Sequence, residues 1–452
     1  MDNVTHALFG YALARALPPT IGGIAPAPRG GTMSSAQGAA KRRALVWCSV
    51  LASNAPDADF VFGLFADNPK LAYLLHHRGH THTLAVALPL GLLLGVACAR
   101  LARVESARDR RHVWLLGAAA GALHVLLDWF NNYGVHPFYP FDNRWYYGDF
   151  VFIVEPLLLA AMIPLVAVGA ESRAGRAIGW ALCALWVALV FVPSQMPAGL
   201  AWSATFAFAL WLAAVRRLRV RGAGTLAAVA TVAAAFFVGS RAAEARIHAG
   251  LRSRAPDERI LDLASAPFPG NPLCWSALAV SVDRAGVYRA RQAYLTLAPA
   301  WLPPRACRLS LGGAKTAPLR PAGLAGSTAL VFDRVFEARA AELHALAHDH
   351  CDARALLRFA RVPYWTHVDG NLVLGDMRYD NGADLDFADL PLGGACPGSI
   401  PPWVPPRTDL LRSTHFARGS AISASSAWMS TGLVKCASKP ASRARSLSCS
   451  RP

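Results

Sequence analysis

The chain has 452 residues, of which 54% are hydrophobic and only 16% are charged. Soluble globular chains carry about 25% charged residues, so this composition argues against one large soluble core. The apolar residues are concentrated in long runs, which indicates a membrane protein. The net charge of +17 does not indicate nucleic-acid binding, because the arginines lie mostly between the apolar runs and in the C-terminal tail.

Helices dominate the first half of the chain. Two short apolar helices are predicted at 5–17 and 44–56, with a Pro/Gly/Ser-rich loop between them at 18–42. Further hydrophobic helices follow, and several are shorter than the roughly 20 residues that a full membrane span prefers. Their predicted ranges are 82–102, 112–130, 150–170, 176–193, 197–215 and 224–240.

The apolar runs end after Arg241. In the later stretch YWTHVDGNLVLGDMRY, the Asp-Gly pair between alternating arms predicts a β-hairpin. The last residues are rich in Ser, Pro and Arg without periodicity, which predicts disorder. The predicted fold is therefore mainly α. A multi-spanning helical membrane bundle at 1–241 is followed by a small soluble α+β, β-rich domain at 242–395 and a disordered tail at 396–452.

Nine cysteines are scattered along the chain without any CxxC pair. This spacing predicts neither a zinc ribbon nor a disulfide framework. Cys48, Cys98 and Cys183 lie within apolar runs and are expected to be small core residues.

The positions of the basic residues predict the membrane topology. Arginines cluster in the 100–111 loop, in the 171–176 turn and in RRLRVR at 216–221, and KRR at 41–43 precedes the second helix. The alternate turns carry few basic residues. The positive-inside rule then places the arginine-rich turns in the cytoplasm. The HHRGHTHT stretch at 76–83 and the domain after residue 241 are expected on the periplasmic side of the inner membrane.

That topology collects acidic and imidazole side chains at the outer ends of the helices, where such groups tend to be functional. His124 and Asp128 are four residues apart, so they share one helix face. Mixed His and carboxylate ligation without a thiolate suits Zn²⁺, with Mn²⁺ or Fe²⁺ as alternatives, and the ligands suffice for two ions. The candidate residues are His6, Asp57, Asp59, His77, Arg78, His80, His82, His124, Asp128, Asp149 and Glu155.

Each signal alone also has an ordinary structural explanation. A DxD pair is common in turns, and an i,i+4 His/Asp pair can form a hydrogen bond within its helix. His76, His112 and His136 are expected to be capped or solvated, and the histidines of HALAHDH at 344–350 to lie on a solvated helix face. The convergence of the other residues on one side of the membrane favours a metal site.

Five motifs in order resemble the YdjM-like family of membrane-bound metal-dependent hydrolases: MDNVTHALFGYAL, PDAD, HRGHTHT, HVLLDWFNNYGVHPFYPF and YGDFVFIVEP. The later RFARVPYWTHVDGNLVLGDMRY resembles a soluble C-terminal extension of some members, so the resemblance covers about residues 1–395. His80 stands where the family usually has a non-ligand. The resemblance implies metal ligands at His6, Asp57, Asp59, His77, His82, His124 and Asp128, with Glu155 where the family has an acid before proline.

The expected function is a membrane-bound metal-dependent hydrolase in which a divalent ion activates water. Arg78 is expected to bind a phosphate or carboxylate oxyanion through two hydrogen bonds, or else to pair with Asp57 or Asp59. Asp149 or Glu155 is expected to orient a ligand or act as a base. A site at the lipid headgroup level favours membrane lipid as a partner and a phosphoester or phospholipid as a substrate.

Two other functions stay open on the sequence. In one, the metal is structural and the outer domain of a non-enzymatic membrane protein binds a partner. In the other, the protein is a metal transporter. The transporter is less favoured, because the acids and histidines gather at one end of the bundle instead of at the midplane.

Overall fold

The computed structural model of the protein describes residues 1–17, 35–191, 198–308, 316–380, 385 and 387–411. All of these residues belong to one compact unit that extends from Met1 to Thr414.

Helices form the N-terminal part of the chain. Their bounds are α1 (Asn3–Ala16), α2 (Ser35–Ala52), α3 (Pro69–His76), α4 (Leu84–Leu101), α5 (Ala107–Trp129), α6 (Pro156–Gly169), α7 (Arg173–Val190), α8 (Ala198–Arg217) and α9 (Gly222–Arg254). Among the described residues, α4, α5, α7, α8 and α9 are long and apolar enough to cross a membrane, while α6 is a shorter apolar helix. The predicted multi-spanning helical bundle is thereby confirmed.

Two helices extend beyond their predicted ends. α2 begins at Ser35, so the last eight residues of the predicted 18–42 loop are helical, and residues 18–34 lie outside the described residues. α9 continues past the predicted end at 240 as far as Arg254. The segment after Ser240 is rich in Ala, Arg and Glu, which favour helix, and Arg241 pairs with Glu244 one turn later. The domain boundary proposed near 241 therefore falls within a continuous helix.

Small residues bring α4 and α5 into close contact. A Cβ atom on Gly91 would lie 2.1 Å from the carbonyl oxygen of Gly117, and one on Gly121 would lie 2.3 Å from that of Ala87. Only glycine permits such an approach of two helix backbones, as in other membrane helix pairs. The HHRGHTHT stretch lies just before α4. The packing of α4 on α5 therefore holds this stretch next to the C-terminal end of α5.

A sheet follows α9. Its five strands are β1 (Arg259–Phe268), β2 (Asn271–Val282), β3 (Val287–Thr296), β4 (Arg320–Pro321) and β5 (Leu330–Arg339), in the antiparallel order β1-β2-β3-β5-β4. One face packs on α9, where a Cβ atom on Gly239 would lie 2.9 Å from the ring of Trp275. Leu263, Trp275 and Phe332 share one hydrophobic core with α6 and α9. The predicted β-rich domain is therefore present and packs against the helices.

Three short helices and a small second sheet complete the described fold. These elements are α10 (Ala340–Asp349), α11 (Cys351–Leu356), β6 (Pro363–Val368), β7 (Asn371–Asp376), β8 (Leu390–Pro391) and α12 (Thr408–Leu411). The predicted Asp-Gly hairpin joins β6 to β7, and Asp369 and Gly370 both have positive φ, as a type I′ turn requires. In α10, His348 is exposed, as expected for a solvated face.

The first part of the predicted tail is ordered. Residues 396–411 are described, and Trp403 within them is completely buried. The prolines of PPWVPP limit the backbone conformations of this segment, and the indole ring supplies its anchor. The expectation of disorder does not hold for these residues, while residues 412–452 lie outside the described part of the chain.

The cysteine prediction was wrong for the sheet region. Cys274 is bonded to Cys307 and Cys351 to Cys396, at sequence separations of 33 and 45. Pairs so far apart in sequence leave no local spacing signal, because the fold alone brings them together. Cys48, Cys98 and Cys183 are free and buried, as predicted.

Candidate metal centre

Four side chains from three segments converge at the C-terminal end of α5. Asp57 comes from the 3₁₀ segment Ala55–Phe65, His82 from the turn His80–His82, and His124 and Asp128 from α5 itself. One ligand atom from each lies within 4.8 Å of every other. The Nε2 atom of His82 is 3.2 Å from Asp57 Oδ1 and 3.1 Å from Asp128 Oδ2. The Nε2 atom of His124 is 3.7 Å and 3.5 Å from the same two carboxylates.

The hydrogen bonds of the two imidazoles fit a cation at this point. His124 Nδ1 donates to the carbonyl oxygen of Ser53 at 2.7 Å, and His82 Nδ1 lies 3.2 Å from Asp59 Oδ2. A neutral ring that donates through Nδ1 has an acceptor at Nε2, yet the two Nε2 atoms are only 3.0 Å apart. Two facing lone pairs repel each other unless a cation lies between them.

The spacing and the charge of the cluster suit a divalent ion. Ligands bound about 2.0–2.2 Å from a tetrahedral ion lie about 3.3–3.6 Å from one another, close to the separations found here. Burial alone would lower the pKa of His82, but Asp128, Asp57 and Asp59 raise it to about 10. The cluster therefore favours a positive charge beside Nε2, which either a proton or a metal ion supplies. His82, His124, Asp57 and Asp128 fit the metal-ligand role implied by the sequence.

Asp59 and His77 lie behind the cluster. Asp59 Oδ2 accepts from the backbone N–H of Arg78 and from Thr81 Oγ1, both at 2.9 Å, and contacts His82 Nδ1. Asp59 Oδ1 is 2.8 Å from His77 Nδ1. These two residues were predicted as ligands, and the structure places them outside the group of four converging ligand atoms. Their contacts instead orient His82 and the loop that carries it.

His6 lies beside the cluster on α1. Its ring stacks on His124 with centroids 3.9 Å apart, and its Nε2 is 3.2 Å from Asp128 Oδ1. The amino nitrogen of Met1 donates to the same carboxylate oxygen. His6 Nδ1 is buried without a hydrogen-bond partner among the described residues. His6 therefore contacts the predicted ligands but does not belong to the group of four.

Arg78 is buried at the edge of the cluster and has a positive φ of 58°. Its Nη2 is 3.1 Å from Asp128 Oδ1, and its Nη1 donates to Asn131 Oδ1 at 2.9 Å. The guanidinium lies over the ring of Tyr133, 4.7 Å from its centroid. The prediction that Arg78 pairs with Asp57 or Asp59 was therefore wrong, because the guanidinium pairs with Asp128. Asp128, near the C-terminal end of α5, supplies the carboxylate instead, because Asp59 already accepts a hydrogen bond from the backbone N–H of Arg78.

The predicted catalytic acids Asp149 and Glu155 contact other partners. Both oxygens of Asp149 accept from Arg361 at 2.7 Å, and Arg361 also pairs with Asp262 on β1. Glu155 accepts from the backbone N–H of Leu157 at the start of α6 and from that of Gly270 in the β1–β2 turn. Both carboxylates thus join the helical part to the sheet, and these contacts do not support the predicted roles as base or orienting group.

Sequence reasoning missed the contribution of Trp403. Its Nε1 donates to the carbonyl oxygen of Leu75 at 2.8 Å, and its ring stacks on His136 with centroids 3.8 Å apart. His136 Nδ1 in turn lies 3.3 Å from the carbonyl oxygen of Arg78. His136 is completely buried, so the expectation of a capped or solvated side chain was wrong. A lone tryptophan in a proline-rich stretch was the available signal.

A cavity of about 630 Å³ adjoins the cluster. His77 and Arg78 line it on the side of the metal centre, together with Asn131, Asn132 and Tyr133. Arg78 contacts Asp128 of the cluster, and His77 contacts Asp59, which lies behind the cluster. The cavity is large enough for a small ligand, and His77 and Arg78 lie between it and the four cluster residues, none of which lines it.

Comparison with known proteins finds similarity in the part of the chain that contains this site. Residues 1–197 match the family described as YdjM inner membrane protein. A protein of Bacillus subtilis (strain 168) named "Uncharacterized protein YfhP" is 29% identical over 192 residues, which are 42% of this chain and 52% of that protein. The chain thus spans about half the length of this relative, and no solved structure matches. The resemblance suggested for residues 198–395 stays a prediction. The helical part at residues 1–197, which contains the whole cluster, is therefore similar to the YdjM inner membrane protein family.

Proposed function

We propose that this multi-pass inner membrane protein is a metal-dependent hydrolase that acts on a phosphoester at the outer face of the membrane. The observation that carries the proposal is that Arg78 lines the cavity and also contacts Asp128 of the four-residue cluster. A divalent ion bound by Asp57, His82, His124 and Asp128 would polarise a water molecule or a substrate oxygen and lower the pKa of that water. Zn²⁺ suits this donor set best, with Mn²⁺ or Fe²⁺ as alternatives.

His77 is better placed than Asp149 or Glu155 to move a proton. Its Nδ1 is held by Asp59 Oδ1 at 2.8 Å, which leaves Nε2 as the nitrogen available to the cavity that His77 lines. A carboxylate that fixes the tautomer and orientation of an imidazole is a common arrangement for a general base or acid. We assign His77 Nε2 this role.

Arg78 supplies the cation for an anionic substrate. Its guanidinium pairs with Asp128 and lines the cavity, and its Nε has no partner among the described residues. Planar guanidinium groups match phosphate oxygens in pairs. A phosphate that enters the cavity therefore meets Arg78, which also contacts Asp128 of the metal centre.

Two observations support a location of this site on the outer side of the membrane. The arginine-rich turns at 100–111, 171–176 and 216–221 lie at the opposite ends of the helices, as expected for cytoplasmic turns. The sheet region contains the disulfides Cys274–Cys307 and Cys351–Cys396, which persist in oxidising compartments such as the periplasm.

A structural metal site is the second candidate, and the four protein ligands favour it, because closed tetrahedral sites usually lack a water ligand. X-ray absorption spectroscopy on the Zn²⁺-loaded protein distinguishes the two functions. We expect a water or longer oxygen ligand beside fewer than four protein ligands if the site is catalytic. Four protein ligands with no water would favour the structural role.

Metal content and hydrolysis test the proposal directly. Detergent-purified protein is assayed for bound metal and for turnover of a soluble phosphodiester. His82→Ala and Asp57→Ala should both lose most of the metal and all turnover. His348→Ala, which alters an exposed histidine of α10, should keep both. Metal content that is unchanged in both cluster variants would refute the metal centre, and full metal content without turnover on any phosphoester would refute the hydrolase.

A further inference from the structure

The sheet contributes a whole wall of the cavity. Ala264 and Ala266 of β1 lie opposite Leu278 and Ser276 of β2 in the strand register, and all four line the cavity. Alternate residues of a strand share one face of a sheet, so Ala264, Ala266 and Ser276 place small side chains on this face beside Leu278, while the opposite face carries the apolar contacts with α9. These small residues leave open space beside the sheet, whose face forms the floor of the cavity.

The facing wall is apolar and belongs to the helical part. Val151, Phe152 and Ile153 precede α6 and line the cavity. Ile153 is 41% exposed and is followed by Val154, which is 40% exposed. An apolar wall of the cavity therefore continues onto an apolar surface beside the start of the apolar helix α6.

The charges on the cavity have one sign. Among the described residues that line it, four are arginines (Arg78, Arg308, Arg334 and Arg378) and none is a carboxylate. Arg378 is paired with Asp376, and Arg308 is half exposed near Asp333. Arg334 is exposed on β5. A cavity with cationic groups and long apolar walls suits an amphipathic anion.

We propose that this cavity binds a phosphate-bearing lipid. The phosphate lies at Arg78 and the metal centre, and the hydrocarbon chain runs between the Ala264/Ala266 floor and the Val151–Ile153 wall towards the bilayer. The proposal rests on the proposed function for the identity of the reacting group, and it gives the sheet domain a role as the substrate-binding wall.

Binding is measured separately from hydrolysis, by native mass spectrometry of the detergent-purified full-length protein. The probes are phosphatidic acid, diacylglycerol with the same chains, and inorganic phosphate. We expect one phosphatidic acid per protein, with weaker binding of the other two. Ala266→Trp fills the floor and should weaken this binding about tenfold or more, because the indole occupies the path of the chain. Leu210→Trp, on the exposed face of α8, is the matched control and should bind normally.

A charge reversal provides a second variant that does not depend on core packing. Arg334→Glu should weaken phosphatidic acid binding and leave diacylglycerol unaffected. Arg339→Glu makes the same change at an exposed position of the same strand outside the cavity lining, and it should have no effect. Equal binding by Ala266→Trp, Arg334→Glu and the two controls would overturn the proposal, as would inorganic phosphate binding as tightly as the lipid.

The two proposals fail in different ways. Cavity-dependent lipid binding without turnover would refute the hydrolase and support the lipid site. Turnover of a soluble phosphodiester together with lipid binding that no cavity variant changes would support the hydrolase and refute the lipid site.

Discussion

Replacing Asp59 by Asn tests whether this carboxylate orients the metal ligands or is itself a ligand. Asp59 receives contacts from His77 Nδ1, Arg78 N, Thr81 Oγ1 and His82 Nδ1. Of these, the contact with His82 acts directly on the ring that faces the metal position. Asn keeps one acceptor and loses the negative charge, so it supports the His82 tautomer less strongly.

The expected effect is a metal Kd about 10- to 100-fold higher, or about 1.4–2.8 kcal/mol, as found when the partner of a metal-bound histidine is removed. The range agrees with the roughly 1.5–3 kcal/mol of a hydrogen bond to a charged group. The assay is a competition titration of Zn²⁺ against a fluorescent chelator, with detergent-purified protein at constant pH. Thermal unfolding of the metal-free forms checks that the variant folds.

Asp67→Asn is the matched control, because this carboxylate is exposed just after the same 3₁₀ segment. Asp57→Ala is the reference for loss of a ligand and should remove measurable binding. An unchanged Kd in Asp59→Asn would refute the orienting role. Loss of binding as complete as in Asp57→Ala would show that Asp59 is a ligand.

Three further changes test how the site is supported and oriented. Trp403→Ala should reduce the free energy of unfolding by about 3–5 kcal/mol and lower the metal content, because it removes the ring that supports His136. Unfolding and metal analysis of the same sample check this. Normal metal content would contradict it. Arg361→Met leaves Asp149 buried without its cation and should cost about 3–5 kcal/mol, part of which Asp149→Asn restores. Burial raises the pKa of Asp149, although Arg361 opposes this shift. The loss of unfolding free energy in Arg361→Met should therefore become smaller as the pH falls and Asp149 takes up a proton. A loss of stability that does not depend on pH, measured by thermal unfolding, would refute this. A reporter active only in the periplasm should work when fused after residue 411 and fail within the 103–111 loop, and the reverse pattern would place the site in the cytoplasm.

The sequence predicts the helical part of this fold well because membrane helices leave a strong local signal. Apolar runs mark α4 to α9, and the i,i+4 spacing of His124 and Asp128 places both on one face of α5. Basic turns predict the orientation, which in turn predicts that Asp57 and His82 lie at the same end. The structure brings these four residues together.

The division of roles within the motifs is not local. Asp57 and Asp59 are two residues apart in PDAD, and nothing in that spacing says which one faces the metal position and which one orients His82. The turn geometry of the 3₁₀ segment decides it. Repeated motif residues can therefore be assigned to a site from the sequence, but not to a position within it.

Contacts across the two halves of the chain were the least predictable. Asp149 and Arg361 are 212 residues apart, and Trp403 reaches Leu75 across 328 residues. An acid at the outer end of a membrane helix looks the same in sequence whether it serves a metal or a distant arginine. The predicted catalytic roles of Asp149 and Glu155 depended on position along the chain, and the sheet supplied partners that position could not show.

Arg78→Lys separates substrate recognition from support of the metal centre. The guanidinium contacts Asp128 Oδ1 through Nη2 and Asn131 Oδ1 through Nη1 at the same time, whereas an ammonium has a single nitrogen. Lys therefore keeps the charge beside Asp128 but loses the paired geometry that a phosphate requires. We expect metal content and thermal stability to stay near wild type while hydrolysis falls by about 10- to 150-fold, which corresponds to about 1.5–3 kcal/mol for one charge-assisted contact. Arg144→Lys is the control, because Arg144 also pairs with a carboxylate, that of Asp142, but is exposed. Metal content and turnover are measured on one preparation. A joint fall in metal content and stability would mean that Arg78 mainly holds Asp128 in place, and full metal content with full turnover would refute both roles.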